Sequence, residues 1–210
     1  TVVTEGDGTS NSPYVLAEVL TTRTGQTLKE ANLYVGEYIS IDSKLYRVIE
    51  KSNDKVKVIS YYNTGLNSKY ADTNNTFNLY NGAGALLKTK ITSDKFKTKN
   101  LFVGDIYASG ANYKSTVFLN KNLVENTVAV LPIMGELLTS PLYNVSGMSN
   151  CYWTLNMNTA SSAYQVCNSS IRTLDINSVD ANTSIIFTGY IDTKNIIVGG
   201  NGTRNNPYQI

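Results

Sequence analysis

A chain of 210 residues can bury a substantial core and runs slightly long for one average domain. Only 16% of it is charged, against about a quarter in ordinary globular chains, and 18 basic against 16 acidic residues leave +2, too balanced for a nucleic-acid binder with a basic stripe. With no histidine, Ser-His-Asp triads, Cys-His nucleophile pairs and histidine metal clusters are excluded. The polar surface must come from Asn, Thr and Ser beside 15 Tyr, residues that suit strands and turns outside the cytosol.

The first element is a turn followed by a strand. Gly6-Asp7-Gly8-Thr9-Ser10-Asn11-Ser12-Pro13-Tyr14-Val15-Leu16 returns at the end as Gly200-Asn201-Gly202-Thr203-Arg204-Asn205-Asn206-Pro207-Tyr208-Gln209-Ile210. Asp-Gly and Asn-Gly favour tight turns with positive φ, and each Pro excludes the middle of a sheet. Each Tyr and the aliphatic residue two positions on share one side of a strand. A calcium loop at Asp7 lacks the further carboxylates that loop spacing requires.

Val15 to Leu20 continues as a strand, and Thr27 with Glu30 three residues later suits a capped helical turn. Tyr38–Ile41, a turn at Asp42-Ser43-Lys44, and Leu45–Ile49 make the clearest hairpin. A turn at Ser52–Asp54 leads into Val56–Tyr61 and completes a three-strand meander. After a loop to Asn75, the apolar residues Phe77, Leu79, Tyr80, Ala83, Leu86 and Leu87 fall near helical spacing. Lys88, Lys90, Lys95, Lys97 and Lys99 follow, with Asp94 among them; they read as a solvated helix end and loop rather than a phosphate site.

Leu101–Val103 and Ile106–Ala108 look like strand fragments, while Lys114 to Leu123 stays ambiguous between strand and loop. Val128–Leu131 is an unbroken apolar run expected as a buried strand. Pro132 is placed to open a helix over Ile133 to Leu138. Strands are expected at Cys151–Leu155, Ala163–Cys167, Ile171–Ile176, Ser184–Phe187 and Asn195–Val198. The class is therefore α+β: a strand-rich, antiparallel or mixed sheet core with two or three short helices, in one main domain.

Cys151 and Cys167 suit either a disulfide in an oxidising compartment or two buried thiols. No CxxC spacing supports a zinc ribbon. Trp153 can stack on a sugar or fill the core beside Cys151. Arg172, on an otherwise apolar strand, needs acceptors, either strand-end carbonyls or a ligand carboxylate. No catalytic residue, metal ligand or cofactor-binding residue is identified. No apolar run approaches the ~20 residues that span a bilayer. The first five residues lack the pattern of a signal peptide, so the chain reads as a mature or trimmed piece.

Several segments then carry a resemblance. Val35-Gly36-Glu37-Tyr38-Ile39 with Leu45-Tyr46-Arg47-Val48-Ile49 is similar to an opening "VG-[DE]-Y-V…W-R-V-[IL]" hairpin, Tyr46 standing in the Trp place. Leu79 to Leu87 loosely matches an "L-x-x-x-[LV]-N" helix, and Val128 to Glu136 is similar to an "[IV]-x-L-L-S-x-x-E" segment. Tyr152-Trp153-Thr154-Leu155-Asn156 and Ile171-Arg172-Thr173-Leu174-Asp175-Ile176 are similar to "[YW]-W-L-x-[ST]" and "[VI]-R-P-x-[IL]-x-[LI]" strands, the second without its Pro. In this order, from about Leu33 to Ile210, the pieces resemble a domain of unknown function found in surface and pilin-like proteins of Gram-positive, clostridium-like bacteria. That domain is related to the C-type lectin-like and sulfatase-modifying-factor fold.

The repeated terminal motif reads residues 1–30 as an N-terminal turn-strand segment, the end of a preceding unit or an extension. The resemblance implies a C-type lectin-like module over 31–210 that closes on the Gly-x-Gly-Thr…Pro-Tyr motif. It implies no catalytic residue, and the Glu-Pro-Asn type of sugar-binding calcium triplet is absent. The expected function is a non-enzymatic extracellular adhesion module on a bacterial cell surface, with a pilin-like or repeat structural subunit as the alternative. Its partners would be a host or cell-wall glycan or protein, or neighbouring surface modules. Trp153 and Arg172 are the candidate ligand residues.

Overall fold

A computed structural model describes residues 2–5, 15–17, 23–52, 54–70, 82–102, 106–108, 116–118, 123–140, 142, 151–159, 162–168, 170–175, 178–180 and 182–210. In chain order the elements are β1 (Val2–Glu5), β2 (Val15–Ala17), β3 (Tyr38–Ile41), β4 (Lys44–Ser52), β5 (Lys55–Ser60) and α1 (Ala83–Lys90). Then come β6 (Lys99–Phe102), β7 (Ile106–Ala108), β8 (Thr116–Phe118), β9 (Leu123–Thr127) and α2 (Met134–Leu138). The last third holds β10 (Cys151–Thr159), β11 (Ser162–Cys167), β12 (Ser170–Asp175), β13 (Thr183–Ser184), β14 (Thr188–Ile191) and β15 (Tyr208–Gln209). The strands gather into two large mixed sheets and two strand pairs, β1–β2 and β6–β9. With helices of eight and five residues, the described fold is mostly β.

The first large sheet runs β14-β5-β4-β3-β15. Its centre is the meander expected from the alternation of Tyr38–Ile41, Leu45–Ile49 and Val56–Tyr61. The β3–β4 turn has two residues, Asp42 and Ser43, with φ of 50° and 62°, the positive-φ pair of a type I′ turn whose twist matches a hairpin. Ile39, Ile41, Tyr46, Val48, Val56 and Val58 enter the main core. Ile59, on the adjoining stretch of β5, enters a second cluster with Tyr61. The closing motif adds β15 parallel to β3 at the sheet edge, Tyr208 opposite Ile39, where a strand that follows a proline is tolerated.

The second sheet runs β12-β11-β10-β7-β8, with β13 also on β10. Here β10 meets β11 antiparallel, but β7 and β13 lie parallel to it. Residues 185–187 link the sheets. Ile185 and Phe187 fill one cluster and Ile186 the other, so alternate side chains of one extended segment serve both.

Several expectations change. The apolar run Val128–Leu131 is buried except for partly exposed Val128, but it is not a strand. The ladder lies in β9, and Val130 keeps one reciprocal bridge to Thr188. Pro132 does not open α2. Its carbonyl accepts the Leu155 N–H at 2.7 Å, and the next residue, Ile133, is extended and becomes the N-cap. The Glu136 carboxylate reaches back to the Ile133 N–H at 2.9 Å, and Asn156 Oδ1 accepts from Met134 N–H at 2.8 Å. The strand expected over Ser184–Phe187 shrinks to Thr183–Ser184, because Phe187 N–H bonds the Ser60 hydroxyl instead of a ladder. Asn195–Val198 carries an isolated bridge, Ile196 to Thr27. Thr27 and Glu30 form the expected reciprocal cap, Thr27 N–H to Glu30 Oε2 at 2.9 Å and Glu30 N–H to Thr27 Oγ1 at 3.3 Å. The helix read from Phe77 to Leu87 appears as α1, further along; residues 77–81, the first terminal turn and most of Lys114 to Leu123 lie outside the described residues.

Candidate functional site

The sequence-derived candidates all sit in the second sheet. Cys151 and Cys167 are direct cross-strand neighbours of β10 and β11, with Sγ atoms 2.16 Å apart and Cα atoms 4.0 Å apart. The pair is at bonding distance, and both side chains are buried. Trp153, two positions on, is 1% exposed. Its Nε1–H donates to Ser68 O at 3.1 Å, and its ring lies 5.4 Å from that of Tyr70, whose hydroxyl donates to Leu155 O at 3.0 Å. An indole placed so offers no face to a sugar.

Arg172 stands opposite Gln165 in the β11–β12 pair. Its Nε–H donates to Gln165 Oε1 at 2.7 Å, and Gln165 Nε2 donates to Thr183 Oγ1 at 2.9 Å. Its Nη2 forms an ion pair with Asp180. Its acceptors are therefore side chains rather than the strand-end carbonyls considered above. The Asn182 N–H, and behind it the Arg172 guanidinium, hold the Asp180 carboxyl below its ordinary range. Cys151, Cys167, Trp153 and Arg172 are thus brought into one sheet, with Arg172 bound internally and Trp153 enclosed.

A different group combines a half-buried arginine with exposed apolar neighbours. Arg47, on β4, donates from Nη1 to Thr139 O at 2.8 Å just beyond α2. Its Nη2 lies 3.6 Å from where a side chain on Gly36 would begin. The sequence neighbours of these two contact points are exposed apolar residues: Tyr34 (59%), Val35 (63%) and Leu138 (54%). Arg47 therefore bonds the end of α2 and passes close to Gly36 in the turn before β3, and exposed apolar residues adjoin both points in sequence. Isolated exposed apolar residues are ordinary, but grouped ones mark interaction surfaces. Sequence reading missed this group because its two halves are 92 residues apart. The one local signal is the Tyr34-Val35 doublet, apolar but outside any strand alternation.

Beside it lies a seat for the C-terminal strand. Arg23 places its guanidinium 5.3 Å from the ring centroids of both Tyr34 and Tyr208. It donates to both Glu37 carboxylate oxygens, at 2.9 and 2.8 Å. The Tyr208 hydroxyl donates to Glu37 Oε1 at 3.2 Å. Burial, with the Glu37 charge behind it, pushes the Tyr208 phenol up to about 12; it therefore stays neutral as a donor throughout the physiological range.

Further buried polar atoms, Arg47 Nε, Ser140 Oγ, Tyr152 OH and Thr188 Oγ1, have no hydrogen-bond partner among the described residues. Burial raises the Tyr152 phenol, keeping it uncharged. Among the described residues no group of three or more His, Cys, Asp or Glu could hold a metal ion, and no helix is long and apolar enough to cross a membrane. Comparison of the chain with family models, curated proteins and solved structures finds no match in any of the three.

Proposed function

We propose that the chain is a non-enzymatic, extracellular binding or adhesion module of a bacterial surface protein. Its finer fold class would be α+β and C-type lectin-like. The observation that carries the binding reading is the set of exposed apolar residues Tyr34, Val35 and Leu138, which neighbour in sequence the two points, Gly36 and Thr139, that Arg47 approaches. Apolar contact near a cation suits a glycan or protein ligand on a host cell or cell wall, or a neighbouring surface module. The extracellular setting draws support from the cysteine pair at bonding distance, since such bonds persist where the medium is oxidising. The low charge fits the same setting. The finer fold label rests on the order of the resembling segments, and the mixed sheets are compatible with it.

The test is binding of the purified chain to a panel of glycans and matrix proteins. We expect saturable binding to one ligand class, lowered at least tenfold by Val35→Glu with Leu138→Glu at unchanged melting temperature. Undiminished binding by that double variant, or silence across the panel, overturns the assignment. One observation favours the alternative of a repeat subunit that works by assembly. The strand pair at the start of the chain matches the pairing at its end, with Glu5 opposite Val15 and Gly199 opposite Gln209.

A further inference from the structure

The C-terminal hairpin owes its shape to a few residues. Gly200 and Gly202 have φ of 86° and 79°. A Cβ on Gly200 would lie 1.9 Å from Pro207 O, and one on Gly202 would lie 2.4 Å from the Tyr208 ring. Both positions therefore demand glycine. Asn201 Oδ1 accepts from the Thr203 N–H at 3.1 Å and from its hydroxyl at 2.8 Å. Thr203 Oγ1 in turn accepts from Asn206 N–H at 3.2 Å. Near the start of the chain these positions read Gly6, Gly8, Asp7 and Thr9, followed by Pro13 and Tyr14 for Pro207 and Tyr208. Asp7 keeps the acceptor that Asn201 supplies. The differences fall chiefly where the side chain builds nothing in the turn: Ser12 for Asn206, whose backbone makes the bonds, and Val15 for exposed Gln209. Ser10 for Arg204 forfeits one contact, the guanidinium over the Tyr61 ring.

Pairing agrees with the chemistry. The same offset that relates Gly6 to Gly200 relates the pair Glu5–Val15 to the pair Gly199–Gln209. The seat that receives the C-terminal copy asks only for features both copies have. Tyr38 N–H donates to Gly202 O at 2.8 Å, Ile210 N–H donates to Ser40 O at 3.4 Å, β3 pairs with backbone, and Arg23 and Glu37 take the tyrosine. Among the described residues one such seat is found, and the C-terminal copy fills it.

We infer that Val2–Ala17, which repeats the sequence and the flanking pairing of the C-terminal plug, docks in the Arg23–Glu37–β3 seat of another copy of this module. This inference does not depend on what the Arg47 surface binds. A chain's own plug holds its seat at high effective concentration, so a plug from a second copy enters when the resident one is weakened or displaced. Docking of this head-to-tail kind extends a series rather than closing a dimer.

Two measurements on the full chain test it. In the first, residues 200–210 are replaced by the sequence of residues 6–16. We expect this chimera to melt within a few degrees of the parent, whereas Tyr208→Ala melts markedly lower or does not fold. A chimera that melts no higher than Tyr208→Ala overturns the equivalence of the plugs. In the second, a labelled peptide of residues 2–17 is titrated into Tyr208→Ala, or into Tyr208→Phe should the alanine variant not fold. We expect saturable binding and a melting temperature raised by linkage, with a Tyr14→Ala peptide bound at least tenfold more weakly. No binding, or equal binding of the two peptides, overturns docking between copies.

Discussion

The two large sheets are built on different principles. In the first, β3, β4 and β5 follow one another along the chain through tight turns, and alternating apolar residues hold them to the core. In the second, β10 recruits parallel neighbours from distant segments, Asn156 opposite Ile106 and Cys151 opposite Thr183. Parallel pairing needs a crossover connection, and the loop entropy is spent before the contacts form. That sheet also carries the covalent tie and the polar chain Asp180–Arg172–Gln165–Thr183. The sequential meander β3–β5 relies on apolar alternation, whereas the sequential strands β10–β12 add side-chain cross-links to their ladders.

The largest effect should come from removing the side chain that joins the second sheet to the common core. Trp153 is nearly inaccessible and shares its cluster with Ile39, Tyr46 and Val48. Trp153→Ala leaves a void and strips the Ser68 carbonyl of its donor, at about 3–5 kcal/mol in urea unfolding. Near-parental stability would place the ring outside the core and break the picture of one apolar body shared by both sheets.

The disulfide comes next. Cys151→Ala with Cys167→Ala should cost about 3 kcal/mol, the chain-entropy value for so short a loop, given a sequence separation of 16. Hydrogen exchange should rise across β10 and β11 and stay unchanged in β3–β5, which the tie does not touch. Two free thiols by mass in the unreduced native protein would break the contrast between the sheets and weaken the extracellular assignment.

The same contrast explains what the sequence disclosed. The β3–β5 meander was readable because its turn residues and period-two alternation are local. The capped turn at Thr27 was readable for the same reason. The fates of Val128–Leu131 and Ser184–Phe187 were not, because an apolar run says that a segment is buried but not whether a neighbour offers a ladder. At the candidate site, Arg47 and Glu37 already stood in the resembling hairpin. Their roles depend on Thr139 and Arg23, and no local pattern announces a carbonyl 92 residues away. Arg172 was readable as a guanidinium in need of acceptors, but its partners Gln165 and Asp180 are neither the strand-end carbonyls nor the ligand carboxylate expected, and Gln165 comes opposite it only once β11 and β12 pair.

The smallest effect sharpens the comparison at its turns. Ser43 in the β3–β4 hairpin has φ of 62°, and Asn168 in the β11–β12 connection has φ of 47°. Left-handed backbone costs an ordinary L-residue roughly 1–2 kcal/mol, but Asn visits it readily. Glycine removes that cost while loosening the unfolded chain by about 0.5–1 kcal/mol. The two terms oppose each other differently at the two sites. Ser43→Gly should gain up to about 1 kcal/mol, because relief of the backbone exceeds the entropy lost and Asp-Gly is a favoured type I′ pair. Asn168→Gly should change stability by less than about 0.5 kcal/mol or lower it slightly, because little strain is there to relieve. Paired urea titrations of the two variants measure the difference. An equal gain at both would mean that Asn168 is as strained as Ser43, and that the cross-linked sheet also forces an unfavourable turn on its chain.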